Sequence, residues 1–144
     1  MEHLAIMNRS LKLLDKIIDG TKIVESRWYM TKRDPWDNIH DGDVIYFKDG
    51  GRPVTVKAKI RKVLQFELTP DKVSEIAKKY GSELGLGNLE EFIQANRNKK
   101  YCILAFLKDV KQLEPFNIDK TGYGHMNAWI CVDDINQLKS YVYL

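Results

Sequence analysis

Gly20-Thr21-Lys22-Ile23-Val24-Glu25-Ser26-Arg27 places a lysine, a glutamate and an arginine within six residues. The chemistry they offer is complementary. Arginine presents a planar fork for phosphate or carbonyl oxygens, lysine a point charge or a base whose pKa shifts on burial, and glutamate a proton acceptor that also reads an amino group. In an ideal strand Glu25 and Arg27 share one face with Thr21 and Ile23, and Lys22 points to the other. The three converge only if Lys22 lies in a turn ahead of the ladder. The competing interpretation is a surface ion pair beside a solvated lysine, which is common and energetically slight.

Two further groups bear on ligands. Lys57, Lys59 and Arg61, with Lys62 beside them and Lys48 and Arg52 across a hairpin, form a basic stripe that fits a phosphate backbone. A solvated, lysine-rich face that resists edge aggregation has the same composition. In Thr121-Gly122-Tyr123-Gly124-His125, the glycines free the backbone while Tyr123 and His125 stand where a base could stack. Trp28, Tyr29 and Trp36 are further aromatic candidates, whereas Trp129 opens an apolar strand and reads as core. No phosphate-binding glycine loop, Gly-x-Ser-x-Gly elbow or His-Glu-x-x-His helix is present. His3, His40 and His125 are scattered singly, and Cys102 and Cys131 sit in apolar runs without metal-ligand spacing. We expect two buried reduced thiols, no metal and no cofactor.

These residues are positioned by a readable series of elements. Leu4 to Met7 is a short strand, and Asn8 to Asp19 a helix with Leu11, Leu14, Ile17 and Ile18 on one stripe, stopped by Gly20. Thr21 to Trp28 is β-branched and alternating, hence a strand. After a loop containing Asp34-Pro35-Trp36, the turn Asp41-Gly42-Asp43 opens a strand, Val44 to Phe47. Asp49-Gly50-Gly51 joins it as a hairpin to Pro53–Leu64. There Val54, Val56, Ala58 and Ile60 alternate with polar residues. Thr69-Pro70 starts a helix through Tyr80, Gly81 to Gly87 is a loop, and Asn88 caps a helix from Leu89 to Ala95. Tyr101 to Leu107 is the most apolar strand, with Val110 to Pro115 extending or bending from it. A loop from Asn117 to Asn127, a strand from Ala128 to Val132 and a helical turn within Asp133–Lys139 precede the closing Tyr141-Val142-Tyr143. About six strands, mostly hairpin-linked, with three or four short helices give an α+β fold built on a curved barrel-like sheet.

The 144 residues fit one domain, 1–144, without a linker. The composition, 44% hydrophobic and 30% charged, excludes a disordered chain. No apolar run approaches membrane-spanning length and no secretory signal is evident, so the expected location is cytoplasmic, with no membrane partner. The formal charge of +3 is too small for a dedicated duplex binder. Its excess is uneven: residues 1–65 hold 13 basic and 9 acidic side chains, the remainder 10 and 11.

The ungapped Gly20-x-Lys22-x-x-Glu25-x-Arg27, its preceding helix, and the Gly42-Asp43 step before an apolar strand resemble the ASCH domain of the PUA-like superfamily. So does the late glycine-rich turn before an aromatic-bearing strand. The resemblance implies a PUA-like curved β-barrel with flanking helices and a cleft lined by the motif's Lys, Glu and Arg. It also implies an RNA or nucleotide partner, since ASCH domains are generally proposed to bind these. Lys22, Glu25, Arg27 and Trp28 are then the central ligand residues, with Lys57, Lys59, Arg61, Tyr123 and His125 as accessories. Some small members hydrolyse N4-acylated cytidines and others are described as ribonucleases. On that alternative Lys22 is the base or water-activating group and Glu25 or Glu83 the acid. A threonine stands in the cytidine amidohydrolases where Glu25 stands here, a departure that separates this chain from them.

Overall fold

A computed structural model describes residues 1–124 and 126–140. His125 and the segment Tyr141 to Tyr143 lie outside the described residues. The strands are β1 (Glu2–Met7), β2 (Val24–Tyr29), β3 (Val44–Asp49), β4 (Val54–Glu67), β5 (Tyr101–Phe116) and β6 (Trp129–Val132). The helices are α1 (Leu13–Asp19), α2 (Pro70–Leu84) and α3 (Leu89–Asn96), and short 3₁₀ turns occupy Arg9–Leu11 and Ile135–Gln137. One sheet contains every strand, in the order β2-β5-β4-β3-β1-β6. It curls into a half-barrel with the helices packed against it, an α+β architecture. β3 and β4 form the direct hairpin, β4 and β5 pair antiparallel around the α2–α3 insertion, and β1 runs parallel to β3.

Alternation in the strands produces a core on each side of the sheet. The concave face collects Ala5, Ile45, Phe47, Ala58, Ile103 and Trp129, closed by Leu14 and Ile17 of α1. On the convex face Val24, Leu104 and Phe106 pack against Val73, Ile76 and Leu84 of α2. A third cluster joins Leu4, Val54 and Ile130 to Ile135 and Leu138. β5 is apolar on both faces from Cys102 to Leu107 because it lies between α1 and α2.

Three expectations are corrected. The segment Asn8–Asp19 is not one helix: Lys12 adopts φ 54°, separating a 3₁₀ turn from α1, and Leu11 and Ile18 are exposed instead of sharing the buried stripe. α2 runs through Gly81 to Leu84 and ends at Gly85, because burial of Leu84 outweighs the modest helix cost of Gly81. The alternation in β4 breaks at a register shift between Ile60 and Lys62, leaving both Arg61 and Lys62 exposed above the Phe106 ring.

Candidate functional site at the barrel seam

Gly20 ends α1 with φ 84° and turns the chain toward β2, which starts only at Val24. Lys22 is therefore in the turn, not the ladder. It is buried, and its Nζ donates to Val24 O at 2.6 Å and to Leu84 O at 2.8 Å, with Glu25 Oε1 at 3.8 Å. Lys16 donates to Gly85 O at 2.8 Å. The last turn of α2 has no basic residue of its own, so two lysines from α1 and the following turn supply its C-terminal cations. Burial, and secondarily the charges of Arg27 and Lys16, pull Lys22 below the ordinary lysine value, while Glu25 opposes.

Glu25 and Arg27 face the concave side of β2. Glu25 Oε1 accepts from Ser26 N at 2.8 Å, and Arg27 Nη2 lies 3.9 Å from Glu25 Oε2. The three charged side chains thus converge, and their burial rules out the surface-pair interpretation: Lys22 is 3%, Glu25 5% and Arg27 16% exposed. Arg27 spans the gap between the sheet edges. Its guanidinium donates to Ala128 O at 3.4 Å and Ile6 O at 3.3 Å, and lies 5.0 Å from the Trp129 ring centroid. The fork read from sequence as a phosphate ligand is spent largely on latching β2 to β1 and the start of β6.

Beside this latch a cleft of about 520 Å³ is lined by Glu25, Arg27, Trp28, Tyr29, Asn96 and Lys99, among others. Glu25 Oε2 is buried with no hydrogen-bond partner. Trp28 donates its indole N–H to Ser26 Oγ at 2.8 Å and meets Phe92 edge-on, which fixes its ring. Lys22 and Glu83 do not line this cleft. Glu83 contributes a backbone carbonyl to Ile23 N and forms no ion pair with Lys22 among the described residues.

The remaining predicted ligand residues lie elsewhere. Lys57 borders a hollow of about 700 Å³ together with Glu2, Tyr46, Glu114, Asp133 and Asp134, an acid-rich setting. Lys57 and Lys59 pair directly with Lys111 and Lys108 of β5, cations that no alternation of apolar residues marks as part of the same strand. None of Lys57, Lys59 and Arg61 reaches the seam cleft, nor does Tyr123, which is 38% exposed in its loop. Asn96 and Lys99 were likewise missed: they lie at the end of α3, and only the fold brings that end to β2.

His3, isolated among the histidines of the sequence, gains partners only through the fold. His3 is fully buried; its Nε2 lies 2.8 Å from Asp43 Oδ2, and its Nδ1 accepts from Trp129 Nε1 at 3.1 Å. Those contacts fix the proton on Nε2. Cys131 Sγ approaches His3 Nδ1 at 3.4 Å and is only partly buried, unlike Cys102. Burial, aided by the charge of Asp34, pushes the Cys131 thiol up to about 12, so it is neutral and a poor nucleophile. Burial likewise holds His3 below its usual value, with Asp43 opposing. Among the described residues no His, Cys, Asp and Glu group has metal-binding geometry, and no helix is long and apolar enough to cross a membrane.

No protein-family model matches the chain, and no curated protein matches it in sequence. Solved structures do. ASCH from Zymomonas mobilis is 15% identical, with a TM-score of 0.68 over 96% of each chain. A point mutant of the same protein gives 0.69 over 96% of this chain and 99% of that one. The N-terminal domain of Staphylothermus marinus McrB is 12% identical, with a TM-score of 0.56 over 94% of this chain and 90% of its own. This chain thus has the ASCH-domain fold over nearly its whole length.

Proposed function

We propose that the seam cleft holds a nucleobase, either of a free nucleoside or of one unit in a single-stranded RNA segment. The observation that carries this reading is Glu25 Oε2, a buried carboxylate oxygen without a donor at the edge of a cleft that Glu25 itself lines. A buried acceptor left unpaired costs about 1–3 kcal/mol, more when charged, and a ligand donor removes that cost. The exocyclic amino group of cytosine or adenine is such a donor. Trp28 and Tyr29 add aromatic surface to the same cleft, and Asn96 and Lys99 supply polar groups for a sugar or phosphate. The likeness to ASCH structures is consistent with this ligand class. A hydrolase built on Lys22 would need that amine beside a substrate or water, whereas its donors lie on two carbonyls and Glu25.

The test is a titration of cytidine, adenosine, uridine and short oligoribonucleotides followed through tryptophan fluorescence and calorimetry. The amino-bearing bases should bind more tightly than uridine. Glu25→Gln should weaken them about tenfold or more, the worth of one charge-assisted hydrogen bond. Trp28→Leu, which keeps Glu25, serves as an independent probe of the cleft. Absence of binding at millimolar concentration, or equal affinities in wild type and a folded Glu25→Gln, refutes the reading.

A further inference from the structure

On β4 and β5 the register sets lysine against lysine: Lys57 is directly opposite Lys111, and Lys59 is opposite Lys108. Like charges placed this way are destabilising. A bulge creates the arrangement. Between the two pairs β4 has one residue, Ala58, whereas β5 has two, Asp109 and Val110, and Asp109 takes the left-handed φ of 52°. Lys108 and Lys111, three apart in sequence, would point to opposite sides of a regular strand. The extra residue turns both to the outer face, beside Lys57 and Lys59, while Ala58 and Ile60 enter the concave core. At the other end the register shift between Ile60 and Lys62 adds exposed Arg61 and Lys62, both over the Phe106 ring. Residues 57–62 and 108–111 thus hold six cations and a single acid, Asp109.

Protection of a sheet edge explains only part of this. Lys108 and Lys111 lie past the end of β2, which pairs with β5 only as far as Phe106, so lysine there also deters pairing with another chain. Lys57 and Lys59 have β3 on one side and β5 on the other, and no edge to protect. Successive cations on β4 are about 6.8 Å apart along the strand, the spacing of phosphates in an extended polynucleotide, and the row from Lys57 to Arg61 is about 14 Å long. An aromatic ring stands beside it. Tyr46 is the cross-strand neighbour of Lys57 on β3, is held edge-on by Phe116, and borders a hollow of about 150 Å³ with Lys57, Lys59 and Lys111. Glu2 also borders that hollow, but its Oε1 accepts from Ile135 N at 2.7 Å. Beyond Lys57, Glu114, Asp133 and Asp134 end the cationic surface, which leaves a narrow ribbon in place of the broad basic face that a duplex requires.

We propose that the β4–β5 ribbon is a contact surface for the sugar–phosphate backbone of a single-stranded nucleic acid. Lys57, Lys59, Lys108 and Lys111 meet the phosphates, and Tyr46 offers a ring to one base. A polyanion between the paired lysines turns their mutual repulsion into shared attraction. The ribbon shares no lining residue with the seam cleft, and its role stands whether or not that cleft holds a base.

Fluorescein-labelled octauridylate is titrated by fluorescence anisotropy at sodium chloride concentrations from about 25 to 200 mM, where affinity should fall with a log–log slope of about −0.7 per phosphate neutralised. Lys59→Gln combined with Lys108→Gln removes one cross-strand pair. The slope should become shallower by about 1.4, and affinity at about 50 mM salt should drop at least about tenfold. Lys57→Gln combined with Lys111→Gln repeats the test on the second pair. Lys78→Gln combined with Lys79→Gln, on the exposed side of α2, makes the same change in net charge and should leave affinity within about twofold of wild type. Either ribbon variant should unfold at a temperature no lower than wild type, because it relieves a like-charge pair. The same slope difference measured in a Glu25→Gln background keeps the result separate from that of the seam cleft. Slopes equal to wild type in both ribbon variants, or a loss no larger than that of the α2 control, overturn the proposal. So does hexaglutamate that competes as well as unlabelled octauridylate, which assigns the ribbon to an acidic protein segment.

Discussion

Replacement of Lys22 by methionine distinguishes a structural amine from a catalytic one. The substitution keeps the stem and removes the ammonium. Two buried carbonyls, Val24 O and Leu84 O, then lose donors at 2.6 and 2.8 Å, and Glu25 loses a cation at 3.8 Å. Each charge-assisted bond is worth about 1.5–3 kcal/mol, and relief of the ammonium's own desolvation offsets part of the sum. Breaking a buried pair by removing one member typically costs about 3–5 kcal/mol. We expect a loss near 3 kcal/mol, equivalent to roughly 10 °C in Tm for a chain of this size. Urea unfolding followed by circular dichroism measures it, and hydrogen exchange should show the largest loss of protection in the last turn of α2. Glu25→Gln combined with Lys22→Met should recover part of the loss, because the two residues are coupled. Groups kept for chemistry behave oppositely, since their removal usually leaves stability unchanged or raised. A Lys22→Met protein within about 0.5 kcal/mol of wild type would therefore refute the helix-capping role and return the amine to the hydrolytic alternative.

Gly85→Ala should lose about 2 kcal/mol in the same assay. The residue has φ 73°, and an added Cβ would lie 3.1 Å from Lys22 Cβ and 3.3 Å from Lys16 Cδ; a stability equal to wild type would show that the two lysines do not pack there. The buried His3 gives a pH signature. Its folded pKa lies below 6.5, so the unfolded chain takes the proton first, and stability is full above that value and declines as pH falls from it toward the folded pKa. The slope should approach at most about 1.4 kcal/mol per pH unit, measured as urea midpoints between about pH 8 and 5, and His3→Gln should flatten it; persistence of the slope in the variant assigns it to another group. Asp43, held below its usual value by His3 and the His40 amide despite burial, loses its contribution only in more acid solution, through and below 3.8.

The fold was legible where local signals and burial agree. Gly20 stops α1 in the left-handed conformation, Thr69 caps α2 through Lys72 N, and Asn88 caps α3 through Glu91 N, all at the positions the sequence predicts. It was illegible where tertiary pairing overrides side-chain character. β5 continues through Lys108, Asp109 and Lys111 to Phe116 because β4 supplies its backbone hydrogen bonds, and no alternation of apolar residues announces that. Lys12 breaks the first helix for a related reason. Leu11 has no core to enter, so the apolar spacing that reads as one stripe is not a stripe in space.

For the site, spacing grouped three side chains that the fold does bring together and left their contacts open, because each contact is set by a partner distant in sequence. Lys22 meets Leu84, 62 residues away, and Arg27 meets Ala128, 101 residues away. Neither partner is a side chain: both are backbone carbonyls, which every residue carries, so no sequence pattern marks them. The same fact separates the three members of the motif. Lysine and arginine have donors that the fold itself consumes, at the end of a helix and across the seam of the sheet. Glu25 is different, since an acceptor at the concave edge of β2 finds one donor in Ser26 N and none for its second oxygen. On the proposed reading, a fold that satisfies two charges with its own backbone and leaves the third facing a cleft divides the motif into a frame and a reader. A ligand proposed for that cleft must therefore bring the hydrogen.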